Sequence, residues 1–216
     1  MLQEPVSKSI REIESLQDPL WPAWKEIYLT SFPPNERMSL EYFEDILAKR
    51  SAEKASDHPL LVLADEKHGA DVVGLAYCEM DADAEIAFLW YLATQADLRG
   101  KGYGAYIYRD LLERARARGN RILVFEVEIP HLAGAKSSED EEWARRRIGW
   151  YERQGAVLVN GIQYFQDVDT SEELTEMHLM VHLFQPMSAE QVYERLEPFF
   201  GDAIQKTGAL SLGREP

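Results

Sequence analysis

Apolar positions along this 216-residue chain alternate between two periods. Trp21, Trp24, Tyr28 and Phe32 recur at three- and four-residue spacing. That places them on one face of a helix beginning near Asp18, and Pro33-Pro34 stops it. The aromatic stripe reads as core. Ser39 is an N-cap for a second helix running to Lys49, with Leu40, Phe43 and Leu47 on its buried face. The period then shortens. Residues 60–64 are a continuous apolar run, and residues 72–80 and 84–94 follow the turns Lys67-His68-Gly69 and Asp81-Ala82-Asp83. Connections this short predict an antiparallel meander. A short strand over 7–13 precedes the first helix.

The helical period returns at Gly102. Tyr103, Ile107, Leu111 and Ala115 line one face, and Gly119-Asn120 ends the helix. Residues 122–129 form a strand closed by Pro130, so 84–129 is a strand–helix–strand unit, expected to be parallel and right-handed. Residues 131–142 read as a loop carrying Glu139-Asp140-Glu141-Glu142, a run that also suits the acidic first turn of a helix over 143–154. Residues 156–159, 162–166 and 178–184 are late strands. Ser188 caps a C-terminal helix to about 206, with Val192, Leu196, Phe200 and Ile204 at four-residue spacing and Pro198 kinking or splitting it. The expected class is α/β (α+β). Its sheet is mixed and largely antiparallel with one parallel pair, flanked by helices, in a single domain over 1–216. Residues 186–216 are a helical extension that would cover the sheet or build a homodimer.

Composition narrows the function. The net charge is −15, from 38 Asp+Glu against 23 Lys+Arg. Nucleic acid is therefore not an expected partner, because phosphate neutralisation needs clustered basic residues. The acidity suits cationic substrates, or serves solubility. No signal-type run or membrane-length apolar stretch is present, and a soluble cytoplasmic protein without membrane contact is expected. Cys78, the only cysteine, alternates with apolar residues and reads as core; no metal is expected.

The chemistry concentrates in Arg99-Gly100-Lys101-Gly102-Tyr103-Gly104, between a strand and a helix start. The first N–H groups of a helix lack intrahelical partners, and its N-terminus is electropositive. Glycine lets an anion come close to them. The stretch reads as a phosphate cradle. A P-loop would require Ser or Thr after Gly-Lys, and Gly102 stands there instead. A dinucleotide fingerprint would require a third glycine where Ile107 stands, although Glu126 or Glu128 could serve as its distal acid. A tight turn alone needs fewer glycines.

Arg99-x-x-Gly102-x-Gly104, following Gln95-Ala96-Asp97-Leu98, resembles the acyl-CoA pyrophosphate loop of the GNAT superfamily of N-acetyltransferases. Trp150-Tyr151-Glu152-Arg153-Gln154-Gly155-Ala156 is similar to the family's helix-ending segment before a strand. The element order agrees over about 7–184. Departures are Ala144 where the family often has Asn, a long loop over 131–142, and the C-terminal helix.

The resemblance implies that backbone groups of Gly100, Lys101, Gly102, Tyr103, Gly104 and Ala105 hold the pyrophosphate of acetyl-CoA, with Arg99 and Lys101 adding charge. It implies that Leu92, Ala93 and Thr94 pair with the pantetheine arm on a strand splayed from 122–129, and that an N–H near Leu92 or Ala93 polarises the thioester. Tyr151 becomes the acid that protonates the leaving thiolate. The amine needs a base; Glu126 and Glu128, on one strand face, and Glu85 are the candidates, and His131 is a weaker one. The expected reaction is direct acetyl transfer from acetyl-CoA to the primary amine of a small molecule or peptide. A non-catalytic acetyl-CoA-binding regulatory module and a nicotinamide-dependent enzyme are the alternatives.

Overall fold

In the computed structural model, which describes residues 8–50, 57–65, 71–133, 137–166 and 174–213, the two periods resolve into eight strands and six α-helices. The strands are hydrogen-bonded in the order β1-β2-β3-β4-β5-β7-β6-β8. β1 (Lys8–Glu12), β2 (Leu60–Asp65) and β3 (Asp71–Asp81) pair antiparallel, as short connections require. β4 (Ile86–Thr94) and β5 (Ile122–Glu128) are the parallel pair, joined through α3 (Tyr103–Ala117). β6 (Val157–Gln166) and β7 (Thr175–Leu183) complete the antiparallel part with β8 (Ile204–Gly213). The mixed, largely antiparallel sheet is the one expected. The predicted turn Lys67-His68-Gly69 lies outside the described residues.

Two compact units divide the chain, Met1–Glu79 with Leu89–Arg114, and Met80–Phe88 with Ala115–Pro216. In the first unit, α1 (Trp21–Ser31) turns its aromatic stripe into the core. The rings follow one another, Trp21 to Trp24 at 5.3 Å, Trp24 to Tyr28 at 5.0 Å and Tyr28 to Phe32 at 5.7 Å between centroids. α2 (Leu40–Lys49) adds Phe43 and Leu47, and Ser39 caps it by accepting the Tyr42 N–H at 3.2 Å. Cys78, on β3, is fully buried.

In the second unit, Asp81 Oδ1 accepts the N–H groups of Asp83 and Ala84, each at 2.8 Å, which makes the acidic turn before β4. Gly119, at φ +85°, closes α3, and Asn120 donates to the Asp81 carbonyl at 2.9 Å. α4 (Pro130–Ala133) is a single turn. The expected loop over 131–142 gives way to α5 (Ser138–Arg153), which starts five residues early because Ser137 caps it and the acidic run forms its first turn. Ala144, Ile148 and Tyr151 are its buried face, so an apolar residue at 144 fits where an amide would need a partner.

The C-terminal segment departs from expectation. The helix over 188–206 stops early: α6 (Ala189–Phe200) ends at Gly201, and Ile204 opens β8 on the edge of the sheet. Ile204 keeps the four-residue spacing because β8's first residue also faces the core. Pro198 sits inside α6 near its end. Residues 156–159 and 162–166 are one strand, not two. Gly161, at φ +83°, lets β6 bend against Ala209 while pairing continues on both sides. No helix among the described residues is long and apolar enough to cross a membrane.

Candidate active site

In the first unit, β4 delivers Leu92, Ala93 and Thr94 to the glycine loop. Gln95 anchors the exit: its side chain donates to the Val72 carbonyl at 2.7 Å and its N–H to the Val73 carbonyl at 3.0 Å. A 3-10 turn, Ala96–Leu98, buries Leu98 and leaves Arg99, Gly100, Lys101 and Gly102 exposed. Gly100 at φ +77° and Gly102 at φ +84° hold a backbone conformation that L side chains rarely adopt. Among the described residues, none beyond the chain neighbours comes within 4 Å of where a Cβ on either would stand. The first helical bond of α3 is Tyr106 N–H to Gly102 O at 3.1 Å. The N–H groups of Gly102, Tyr103, Gly104 and Ala105 therefore come before the helical ladder begins. Open approach, positive-φ glycines and a helix N-terminus fit a phosphate group, and Arg99 and Lys101 supply charge of the right sign.

A glycine on β3 lies close to this loop in the first unit. A Cβ on Gly74 would stand 2.8 Å from the Ala93 carbonyl oxygen and 2.7 Å from Ile107 Cδ1. Gly74 thus lets the end of β4 and the first turns of α3 close onto β3. Gly74 escaped the sequence reading; an isolated glycine within a strand pattern is the signal that could have pointed to such an approach. Tyr91, one residue before Leu92, accepts the Met38 N–H at 2.9 Å and donates to the Glu36 carbonyl at 3.0 Å. Tyr28 donates to the Met38 carbonyl at 3.0 Å, and burial raises its phenol far above the ordinary value. Tyr91 thus ties the segment between α1 and α2 to β4, and Tyr28 ties it to α1.

The second unit carries the titratable groups. The parallel ladder of β4 and β5 covers Ile86–Ile122, Ala87–Leu123 and Phe88–Val124. Beyond it, β5 continues with Phe125, Glu126, Val127 and Glu128. Side chains alternate, so Glu126 and Glu128 share one face and Phe125 and Val127 the other. Glu126 is held at both oxygens: Tyr164 donates to Oε1 and Gln166 to Oε2. Burial pushes its carboxyl up to about 7, against the opposing pull of those two donors. Glu128 is paired instead with Arg147 of α5 at 2.7 Å.

Tyr151 packs its ring on Phe125, with centroids 4.1 Å apart, and meets Trp150 edge-on at 4.8 Å. Burial pushes its phenol up to about 12; Arg147 pulls it down and Glu128 pushes it up. Tyr151 and Glu126 thus attend opposite faces of β5. Glu85 stands apart from both. It occupies the turn before β4 at φ +57°, and its carboxylate bridges Arg121 at 2.8 Å and Arg195 at 2.7 Å. The Arg121 hydrogen bond is foremost in holding it below the usual carboxylate range. His131 is exposed on α4.

Residues 21–137, more than half of the chain, match the family model of the Acetyltransferase (GNAT) family. The chain belongs to that family. The acetyltransferase resembles a GNAT-family protein from Bacteroides thetaiotaomicron at 25% identity, with a TM-score of 0.67 over 89% of this chain and 98% of that one. It also resembles ribosomal-protein-alanine N-acetyltransferase from Brucella melitensis, at 22% identity and a TM-score of 0.55 over 82% and 99%. A third likeness is yncA from Salmonella typhimurium, described with its cofactor acetyl-CoA, at 17% identity and a TM-score of 0.55 over 84% and 96%. The last two are likenesses of fold. A search of curated proteins finds no match.

The acetyltransferase's acidic run is less free than its sequence suggests. Glu141 pairs with Arg145 at 3.0 Å, and Glu142 pairs with Arg146. Two carboxylates of the run therefore have arginine partners on α5, as does Glu128 of β5 through Arg147. Tyr164 and Gln166 escaped the sequence reading altogether. They lie about forty residues from Glu126 and reach it only because β6 folds back beside β7.

Proposed function

We propose that this acetyltransferase moves the acetyl group of acetyl-CoA directly to a primary amine, with Glu126 as base and Tyr151 as acid. One observation carries the assignment of the base. Among the three carboxylates considered, Glu126 is the one held by neutral donors, and its carboxyl lies near 7. Such a group is part ionised at neutral pH and can still accept a proton. Glu85 and Glu128 are each bound to arginine, and for Glu85 that pairing holds the carboxyl below the usual carboxylate range, which weakens a base.

In this reading the Arg99–Ala105 cradle holds the pyrophosphate through backbone N–H groups, and the backbone of Leu92, Ala93 and Thr94 holds the pantetheine arm. Acetyl-CoA supplies the activated acyl group. The amine nitrogen attacks the thioester carbonyl carbon, and the C–N bond forms as the C–S bond breaks. Glu126 takes the amine proton, and Tyr151 gives its phenolic proton to the departing thiolate. A phenol near 12 holds that proton at every physiological pH, and a CoA thiolate can remove it only as it leaves.

The test is thiol release from acetyl-CoA over a panel of polyamines, amino acids, aminoglycosides and peptide N-termini. Turnover on at least one amine is expected, lost in Glu126→Gln. A panel member turned over equally by Glu126→Gln would remove Glu126 from the mechanism.

A further inference from the structure

The C-terminal segment that the sequence presents as an addition reaches the proposed base. Tyr164, the donor to Glu126 Oε1, lies on β6, two strands away from β5. Its ring meets Phe200, the last residue of α6, edge-on at 4.9 Å. Its backbone pairs with Ile204, the first residue of β8. Next to it, Gln163 accepts from Gln205 of β8 at 2.6 Å. Phe200 also packs on Phe88, with centroids 5.4 Å apart, where β4 meets β5. Tyr164 is therefore braced by α6 through its ring and by β8 through its backbone, while its hydroxyl is spent on Glu126.

We infer that Tyr164 is a positioning residue for Glu126, and that α6 and β8 serve transfer by holding Tyr164 in place. The inference rests on the reading of Glu126 as the base. A carboxylate set among apolar neighbours has few polar contacts to fix its rotamer. Two donors, one on each oxygen, select one orientation and leave the outer lone pairs for a substrate proton.

The donors also tune the group. A hydrogen bond to the ionised form favours it, so Tyr164 works against the burial that pushes Glu126 upward. Among the described residues, the groups facing Glu126 come from three elements besides β5. β6 contributes Tyr164 and Gln166. β7 contributes Leu179 and Met177 on that face, and α6 contributes Phe200 behind Tyr164. On β5 itself, Glu128 is two residues on and is paired with Arg147.

Tyr164→Phe keeps the ring and its packing but removes the hydroxyl. The experiment follows the Glu126 side-chain carboxyl by carbon NMR titration of the full chain, without substrate. In parallel it records the pH profile of kcat/KM with acetyl-CoA and an amine turned over in the panel. Removing the donor is expected to move both the carboxyl midpoint and the acidic limb up by roughly one pH unit. Activity lost at pH 7 then returns above pH 8. Phe200→Ala, which frees the ring without touching the hydroxyl, moves the midpoint the same way by a smaller amount.

A Tyr164→Phe midpoint equal to the parent's overturns the positioning role. A Phe200→Ala midpoint equal to the parent's overturns the part given to α6 and β8. A loss of activity that is uniform with pH also overturns the positioning role, since general loosening has no reason to follow a proton. Failure of the base reading is seen separately. If Glu126→Gln keeps full transfer, Glu126 is not the base, whatever the NMR midpoints show.

Discussion

Gly74 and the carbonyl of Ala93 are closer than any side chain at position 74 permits. An added Cβ would stand 2.8 Å from that oxygen and 2.7 Å from Ile107 Cδ1. One neighbour is backbone and cannot swing away. Gly74→Ala is expected to lower stability by about 1–3 kcal/mol, the usual cost of overpacking. The shifted atoms belong to the strand and helix that flank the glycine loop. Acetyl-CoA affinity should therefore fall more than kcat does. Thermal unfolding and CoA titration measure the two effects.

Gly102 makes the contrasting case. Space around it is open, but φ is +84°. Gly102→Ala is expected to cost roughly 1–2 kcal/mol in backbone strain. Acetyl-CoA binding should weaken by more than stability predicts, because the new methyl stands where the phosphate would approach. Equal binding in calorimetry would mean that the loop is a turn and no cradle.

Tyr151→Phe keeps the ring on Phe125, 4.1 Å away, and removes only the proton. The expected result is a drop in kcat of about 10²–10⁴-fold with little change in melting temperature. No basic limb from Tyr151 should be seen in the parent below about pH 10, since its phenol lies near 12. A Tyr151→Phe variant at parental kcat assigns the residue to packing alone.

Glu126 links activity and stability with opposite signs. Its carboxyl lies near 7 in the folded protein, against 4.5 as the ordinary value. The folded state therefore binds the extra proton between those two values. By linkage, this group's contribution to stability is complete below about pH 4.5 and is lost as the pH rises through about 7. Activity should rise over the same range as the base ionises. Glu126→Gln cannot titrate, so its melting temperature should gain on the parent's between pH 4.5 and 7 and keep a constant lead above. A lead that does not change with pH would show that Glu126 is unperturbed in the fold.

Most of the fold was legible because it follows from local periods. The aromatic stripe of α1 needs only 3.6-residue spacing to declare a buried face, and Trp21, Trp24 and Tyr28 are buried. The meander needs only short turns. The glycine loop was legible for a similar reason: positive φ and a helix start are properties of neighbouring residues. The misread elements are those where local pattern is degenerate. Ile204 satisfies helical spacing and strand burial alike, and only pairing with β6 settles it as strand. Residues 138–142 look like a polar loop until Ser137 caps them into α5.

The carboxylates mark the limit. Glu85, Glu126 and Glu128 are alike as letters in the chain. They differ in what the fold brings to them: two arginines to Glu85, one to Glu128, and a tyrosine and a glutamine to Glu126. A side chain's protonation depends on burial and on partners distant in sequence. Neither leaves a trace in spacing. The chain's letters were enough to propose an acyl-CoA loop, because positive-φ glycines and a helix start are backbone and local. Telling the three carboxylates apart took the packing of β5, β6 and α5, because charge is tuned by what stands beside it in space.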